Sequence, residues 1–361
     1  MCLLAVPITQ ENVIRAGFGT WPAFFADPIQ HRLASQCLLS LSRVYFARHH
    51  GSPELINQGT ALYVKSLKTL HSALGDVKVR TADDTLFAVM ILGLYEMLEL
   101  SSTDGWIAHA LGLGKVIETR GAKSFDGPEQ RILFECNRFI IILASLAGNK
   151  ATFLSLNEWK TEPWASAPES KGLLHYLLDL FADLATLKAE TLKSSTTTQL
   201  GVRSQISRVM ADLLEWRAAW DIINSREVLE VPNPTIDDQA VLPTVLQFNS
   251  IHIANDMCLY DACFVQAFRV LKWAGGANDA AYFALNERAA LEICQTIDYL
   301  QHSAPWMTAQ FLVLFPLRMA FLAVEHSPSP LRTWVERKLT MFTTSQQGWG
   351  VAKKLHYYGS K

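Results

Sequence analysis

The stretch from Asp104 to Trp159 reads DGWIAHALGLGKVIETRGAKSFDGPEQRILFECNRFIIILASLAGNKATFLSLNEW and carries the clearest structural signal in the chain. Apolar residues recur in it at helical spacing, which predicts helices over Asp104–Thr119 and Pro128–Ala147. Arg120 followed by Gly121 is typical of a helix end, because arginine favours the negative C-terminus and glycine accepts a left-handed cap. The stretch therefore predicts two apolar helices joined by a short turn.

The same helical spacing fills most of the remaining chain. Further helices are predicted at Ile29–His49, Pro53–Leu74, Asp83–Leu100, Gly172–Leu192, Arg203–Ile223, Leu242–Trp273, Ala281–Gln301, Trp306–Val324 and Pro330–Phe342. Alternating strand patterns bounded by turns are rare, so almost no sheet is expected. We predict an all-α fold, a large multi-helix single domain over residues 1–361. The alternative is two helical lobes that meet at the polar tract of residues 193–201.

Composition and charge exclude several classes of function. Half of the 361 residues are hydrophobic. No uninterrupted apolar run reaches the roughly 18 residues that a membrane-spanning helix needs. The opening MCLLAVPI has no basic region, so a secretory signal peptide is not expected. The formal net charge of −2 predicts no direct contact with nucleic acid. We expect a nuclear or cytoplasmic protein that is neither secreted nor held in a membrane.

The six cysteines lack the spacing of a metal site. A binuclear zinc cluster takes closely paired thiolates within one short segment, whereas only Cys258 and Cys263 are near each other here, on a predicted helix. Asp83 and Asp84 begin like a magnesium-binding acidic motif, but Phe87 stands where the third acid is required. The aspartate pair is therefore interpreted as a helix N-terminus. No metal and no cofactor are expected.

Trp106 and His109 share one face of the helix that follows Asp104. A histidine on such a face is more often a hydrogen-bonded core residue than a ligand contact or a base. Gly112 and Gly114 in the same helix predict the close approach of another helix or of a ligand, because glycine otherwise costs helix stability. The face is therefore a candidate binding surface, with a structural role as the alternative.

Arg138 lies in the strongly apolar run FECNRFIII, directly before Phe139. A buried arginine needs an acidic or carbonyl partner, and Glu118 or Glu135 would supply a carboxylate. One interpretation is a structural ion pair. The other is an anchor for an anionic group in a cavity, with Phe139 supplying contact area.

His252, Asp256 and Tyr260 follow one another at intervals of four residues on a predicted helix. This spacing places an imidazole, a carboxylate and a phenol on one apolar face. The set is suited to general acid–base chemistry or to orienting a polar ligand, and a polar network between helices is the structural alternative.

We therefore predict a largely apolar pocket between the helices that carry these groups. Its predicted ligand contacts are Trp106, His109, Arg138, Phe139, His252, Asp256 and Tyr260. The candidate catalytic residues among them are His109, His252, Asp256 and Tyr260. An apolar small molecule is the expected ligand.

Four further stretches extend the pattern of Asp104–Trp159. They are TADDTLFAVMILGLYE at residues 81–96, EICQTIDY at 292–299, FPLR at 315–318, and the late tryptophans Trp334 and Trp349. Together these stretches resemble the regulatory, or middle homology, domain of fungal zinc-cluster transcription factors. The resemblance implies an all-α regulatory domain that senses small molecules or dimerises. The six-cysteine cluster and its basic linker have no counterpart in this sequence.

Two functions follow from this resemblance. The first is a transcription-factor-like regulator without a DNA-binding domain, which senses a small molecule or pairs with itself or with a transcription-factor partner. The second is an enzyme of fungal secondary metabolism, a cofactor-independent cyclase or pericyclase. Such an enzyme would use the apolar pocket to catalyse a cyclisation or cycloaddition without a metal or a nucleophile.

Overall fold

The computed structural model describes residues 31–100, 104–193, 199–276, 280–303, 306–326, 329–344 and 350. These residues form twelve α-helices and one two-stranded sheet. The helices are α1 Arg32–His50, α2 Pro53–Gly75, α3 Asp83–Glu99, α4 Gly105–Arg120, α5 Pro128–Ala147, α6 Asn157–Thr161, α7 Leu173–Lys193, α8 Gln199–Asn224, α9 Ile251–Trp273, α10 Ala280–Ser303, α11 Trp306–Val324 and α12 Pro330–Thr344. The strands are β1 Val228–Pro232 and β2 Thr244–Phe248. The predicted all-α class is confirmed.

One helix prediction was wrong at its start. The prediction began at Leu242, but β2 occupies Thr244–Phe248 and pairs antiparallel with β1, and α9 begins only at Ile251. The side chain of Ser250 caps α9 by accepting the backbone N–H of His252 at 3.2 Å. The apolar residues of this short strand continue directly into those of the helix, so the two were interpreted as one helical pattern.

Two compact units divide the chain, Met1–Lys171 and Gly172–Lys361. Most of the tract at 193–201, where the alternative lobe boundary was predicted, lies outside the described residues. The single domain over residues 1–361 stays a prediction.

The first unit is built by packing α1 against α2 and α3, α3 against α4, and α4 against α5. The carboxylate of Asp84 accepts the backbone N–H groups of Leu33 at 3.1 Å and Ala34 at 2.8 Å, at the N-terminus of α1. Asp83 forms an ion pair with Arg120 at the end of α4. Both aspartates lie in the first turn of α3, so they fix helix ends, as the sequence predicted.

The second unit has α9 at its centre. This helix packs against α7, α8, α10 and α11 and is buried over most of its length. Cys258 and Cys263 lie within it and are buried, as are Cys37 on α1 and Cys294 on α10. Burial raises the pKa of the Cys37 thiol to about 12. The buried cysteines therefore pack as small hydrophobic residues.

None of the helices that the structure describes has the length and apolarity needed to cross a membrane. No group of three or more histidine, cysteine or acidic side chains among the described residues is arranged to hold a metal ion.

Candidate functional site

The α4 face carries the first two predicted contacts. Trp106 is 5 % exposed, and its indole N–H has no hydrogen-bond acceptor among the described residues. His109, one turn further on, is half-buried. Burial lowers the pKa of its imidazole, and the negative charge of Glu96 only partly opposes this. The face therefore presents a desolvated donor beside an imidazole that is neutral at pH 7.

Glu96 belongs to a buried polar cluster that α2, α3 and α4 assemble. The hydroxyl of Tyr63 donates to its carboxylate, which is 2 % exposed. The Tyr63 ring stacks on that of Tyr95 with 4.0 Å between centroids and 8° between planes. We call Tyr63, Tyr95, Glu96 and His109 the Glu96 cluster. It combines a carboxylate, phenols and an imidazole, and its members come from three helices, so no sequence spacing shows it.

The two glycines of α4 behave differently. A Cβ added at Gly114 would lie 3.2 Å from the Ile141 side chain, so α5 approaches closely there, and the prediction is confirmed. A Cβ at Gly112 would meet nothing within 4 Å, so no other helix approaches closely there, and the approach of a ligand stays a prediction. The other close approach comes from Gly93 of α3, whose added Cβ would lie 3.4 Å from the Cβ of His109. His109 is therefore held against the backbone of α3.

Arg138 on α5 is fully buried and lies between aromatic rings. Its guanidinium carbon is 5.1 Å from the Trp164 ring centroid and 5.4 Å from that of Phe134. Both distances fit cation–π contacts. Phe139, the next residue, is half-buried. The contact between Arg138 and Trp164 could not be deduced from the sequence, because the two residues are distant in the chain.

Glu135 is the carboxylate near Arg138. Its side chain accepts the indole N–H of Trp164 at 3.0 Å. Burial raises its pKa, and the Trp164 hydrogen bond and the charges of Arg131 and Arg138 partly offset that rise. Glu118 instead pairs with exposed Lys115 at 2.9 Å. Of the two carboxylates predicted to pair with Arg138, Glu135 is the one whose pKa the positive charge of Arg138 lowers. This supports the interpretation of Arg138 as part of a structural ion pair.

Two tryptophan substitutions separate a satisfied indole from an unsatisfied one. Trp164→Phe removes the donor that Glu135 accepts, so we expect the free energy of unfolding to fall by about 1–2 kcal/mol. Trp106→Phe removes a donor without an acceptor, so we expect no loss. Denaturant unfolding of both variants checks this. Equal losses in the two would contradict the assignment.

The predicted residues of α9 lie in the second unit. His252 and Asp256 are half-buried, and both have interaction partners. Tyr260 is 5 % exposed and stacks on Trp216 of α8 with 5.4 Å between centroids and 12° between planes. Burial raises the pKa of the Tyr260 hydroxyl above its usual range. Tyr260 is thus part of the packed core beneath α8.

An ion-pair network beside Tyr260 was missed in the sequence. Arg217 of α8 binds Glu292 of α10 at 2.7 Å and lies 3.6 Å from Asp261 of α9. Asp261 is 1 % exposed. Burial raises the pKa of its carboxyl group, Glu292 raises it further, and Arg217 partly offsets both. We call Arg217, Asp261 and Glu292 the Arg217 network. Its only sequence signal is an acid inside the apolar run of α9.

The structure therefore groups the seven predicted contacts in two places. Trp106 and His109 lie on α4 and Arg138 and Phe139 on α5, two helices of the first unit that pack against each other. His252, Asp256 and Tyr260 lie on α9 in the second unit. The pocket between all three helices stays a prediction.

Lys188 on α7 adds a titratable group that the sequence analysis did not select. Burial, reinforced by the positive charge of Arg269, lowers its pKa to about 8. A lowered lysine pKa destabilises the fold fully below pH 8, and the penalty disappears as pH rises towards 10.5. We expect Lys188→Met to raise the free energy of unfolding at pH 7 by about 1–2 kcal/mol after allowing for solvent screening. Unfolding curves at pH 7 and pH 10.5 check it, since the gain should shrink at the higher pH. A loss of stability at pH 7 would contradict it.

Comparison with known proteins gives a match to most of the chain. The family described as fungal specific transcription factor domain matches residues 21–351. A stretch of 116 residues is 28 % identical to Uncharacterized protein AN5342 of Emericella nidulans, over 32 % of this chain and 25 % of that protein. The match thus spans about a quarter of the length of that curated relative. No solved structure matches the chain.

Proposed function

We propose that this chain, which belongs to the fungal specific transcription factor domain family, is a regulatory protein whose α4 face binds an apolar small molecule. The family match over residues 21–351 confirms the resemblance that the sequence indicated and supports a transcription-factor-like role. We place the protein in the nucleus, where such regulators act. The ligand and any protein partner belong to this proposal.

The buried indole N–H of Trp106 is the observation that carries the proposal. A buried donor without an acceptor costs about 1–3 kcal/mol, and a ligand oxygen placed against it would recover that free energy. The neutral imidazole of His109 lies one turn away on the same helix and offers both a donor and an acceptor. A mostly apolar ligand with a carbonyl or hydroxyl group fits these two side chains.

The packing of His109 suggests how binding would be transmitted. Its Cβ lies against Gly93 of α3, and its imidazole senses the charge of Glu96 on that helix. Glu96 is in turn hydrogen-bonded by Tyr63 of α2. A ligand that holds His109 in one tautomer and position would therefore favour one arrangement of α2, α3 and α4. A partner that contacts these helices would detect the difference.

The proposal is tested on the full chain purified from a fungal host. Native mass spectrometry should show a retained small molecule on the wild-type chain and on Trp273→Phe, a control at a side chain that is 43 % exposed. Trp106→Phe should lose the ligand while its unfolding curve matches that of the ligand-free wild-type chain. Equal ligand retention in Trp106→Phe would contradict the proposal. Conversion of the retained molecule into a product during incubation would instead favour the enzymatic function.

A further inference from the structure

Helix α8 presents an apolar stripe to solvent. Leu200, Leu214 and Ile222 are 74 %, 36 % and 80 % exposed. Their spacing places them on one face of the helix. The residues between them on this face are small; Ser204, Ala211 and Ala218 are exposed, and Ser207 is half-buried. We call this surface the α8 seam, which consists of Leu200, Ser204, Ala211, Leu214, Ala218 and Ile222.

The opposite face of α8 holds the helix in the second unit. It buries seven apolar side chains, namely Val202, Ile206, Val209, Met210, Leu213, Trp216 and Trp220. Arg217 adds the ion pair with Glu292 of α10. The helix is therefore anchored with its seam outward. From Leu200 to Ile222 the seam is about 33 Å long at 1.5 Å per residue.

Two opposite charges flank the seam. Arg208 lies three residues before Ala211, and Glu215 lies four residues after it. Both side chains are exposed, and neither has an ion pair among the residues that the structure describes. Leu200 and Ile222 each lie eleven residues from Ala211, in opposite directions. The two apolar ends of the seam therefore lie at equal distances on either side of Ala211. The two charges lie at nearly equal distances on either side of it and are opposite in sign.

We infer that the α8 seam is the interface between two copies of this chain, paired antiparallel about a two-fold axis at Ala211. Antiparallel pairing brings Arg208 of one copy to within one residue, about 1.5 Å along the axis, of the level of Glu215 of the second copy. Symmetry forms this pair twice. Leu200 of each copy faces Ile222 of the other.

The charges favour the antiparallel arrangement. Arg208 and Glu215 lie on the same flank of the seam, and a parallel two-fold pair would place this flank of the two copies on opposite sides of the interface, so neither ion pair would form. The small residues at the centre of the seam let the two backbones approach closely. The geometry therefore selects a second copy in one orientation.

Charge reversal tests this interface directly. Sedimentation velocity over a concentration series of the full chain should give a monomer–dimer equilibrium. Arg208→Glu and Glu215→Arg should each raise the dissociation constant by about tenfold or more, since each replaces two attractions with two repulsions. The double variant Arg208→Glu with Glu215→Arg restores both pairs and should return the constant to within about threefold of the wild-type value.

Matched surface variants control for nonspecific effects. Ile222→Glu should weaken the dimer, whereas Val77→Glu, at a 70 % exposed residue of the first unit, should leave it unchanged. Circular dichroism and unfolding curves show that each variant is folded. A wild-type chain that stays monomeric over the whole series would overturn the inference. So would a dimer that ignores the single reversals, or a double variant that stays as weak as either single one.

Discussion

Replacing Arg217 with methionine is expected to lower the free energy of unfolding by about 3–5 kcal/mol. The guanidinium binds Glu292 at 2.7 Å and lies 3.6 Å from Asp261, which is 1 % exposed. Burial alone would lower the pKa of Arg217, but Asp261 and Glu292 reverse this and raise it above its usual range. The methionine would leave Asp261 in the core without its cation and Glu292 with Arg288 as its remaining partner at 2.7 Å. Urea unfolding followed by circular dichroism measures the loss.

An exposed arginine gives the matched control. Arg332 pairs with Glu336 at 3.0 Å, but both side chains are about 40 % exposed. Arg332→Met should therefore cost less than about 1 kcal/mol. Adding Asp261→Asn and Glu292→Gln to Arg217→Met removes the uncompensated charges and should recover part of the lost stability. If Arg217→Met costs no more than Arg332→Met, the network does not stabilise the second unit.

Replacing Arg138 with methionine is expected to lower the free energy of unfolding by about 3 kcal/mol. The substitution removes two cation–π contacts, at 5.1 Å to Trp164 and 5.4 Å to Phe134. It also removes a positive charge that lowers the pKa of half-buried Glu135. Since that pKa is already raised by burial, Glu135 should bind its proton more tightly in the variant. Unfolding at pH 5 and pH 8 should show the larger loss at pH 8.

The Arg138 result also separates its two interpretations. Arg80 is exposed, so Arg80→Met provides the surface control and should change the free energy of unfolding by less than about 0.5 kcal/mol. If the role of Arg138 is structural, Arg138→Met lowers the free energy of unfolding whether or not a ligand is present. If Arg138→Met is as stable as Arg80→Met and instead loses an anionic ligand, the anchor interpretation is correct.

The helices were predictable because their signal is local. Pro128–Ala147 and Trp306–Val324 have the predicted bounds, since the apolar spacing that predicts each helix lies within its own segment. The helix predicted to begin at Leu242 was wrong at its start because the strand there depends on interactions outside its own segment. Strand β2 owes its conformation to pairing with β1 and to the hydrogen bond from Gln295 of α10 to Thr244, neither of which is visible within the segment itself.

The polar sites were predictable only in part. Trp106 and His109 lie on one helix, so their shared face could be deduced from spacing. The groups that set the properties of His109 could not, because Glu96 and Gly93 come from α3. The residues of the Arg217 network come from three helices, so no regular spacing in the sequence relates them. Sequence reasoning thus found groups that share a helix and missed groups that only tertiary packing brings together.

The indole N–H of Trp106 offers the most direct measurement of ligand binding on the α4 face. Indole ¹⁵N–¹H spectra of the tryptophan-labelled full chain would be recorded with and without the co-purified molecule, and Trp106→Phe would identify the resonance. Ligand binding should move the Trp106 indole proton resonance downfield, because a free donor gains an acceptor, while the Trp164 resonance, whose N–H is already bonded to Glu135, should stay in place. A Trp106 resonance that does not change when the molecule binds would contradict this prediction.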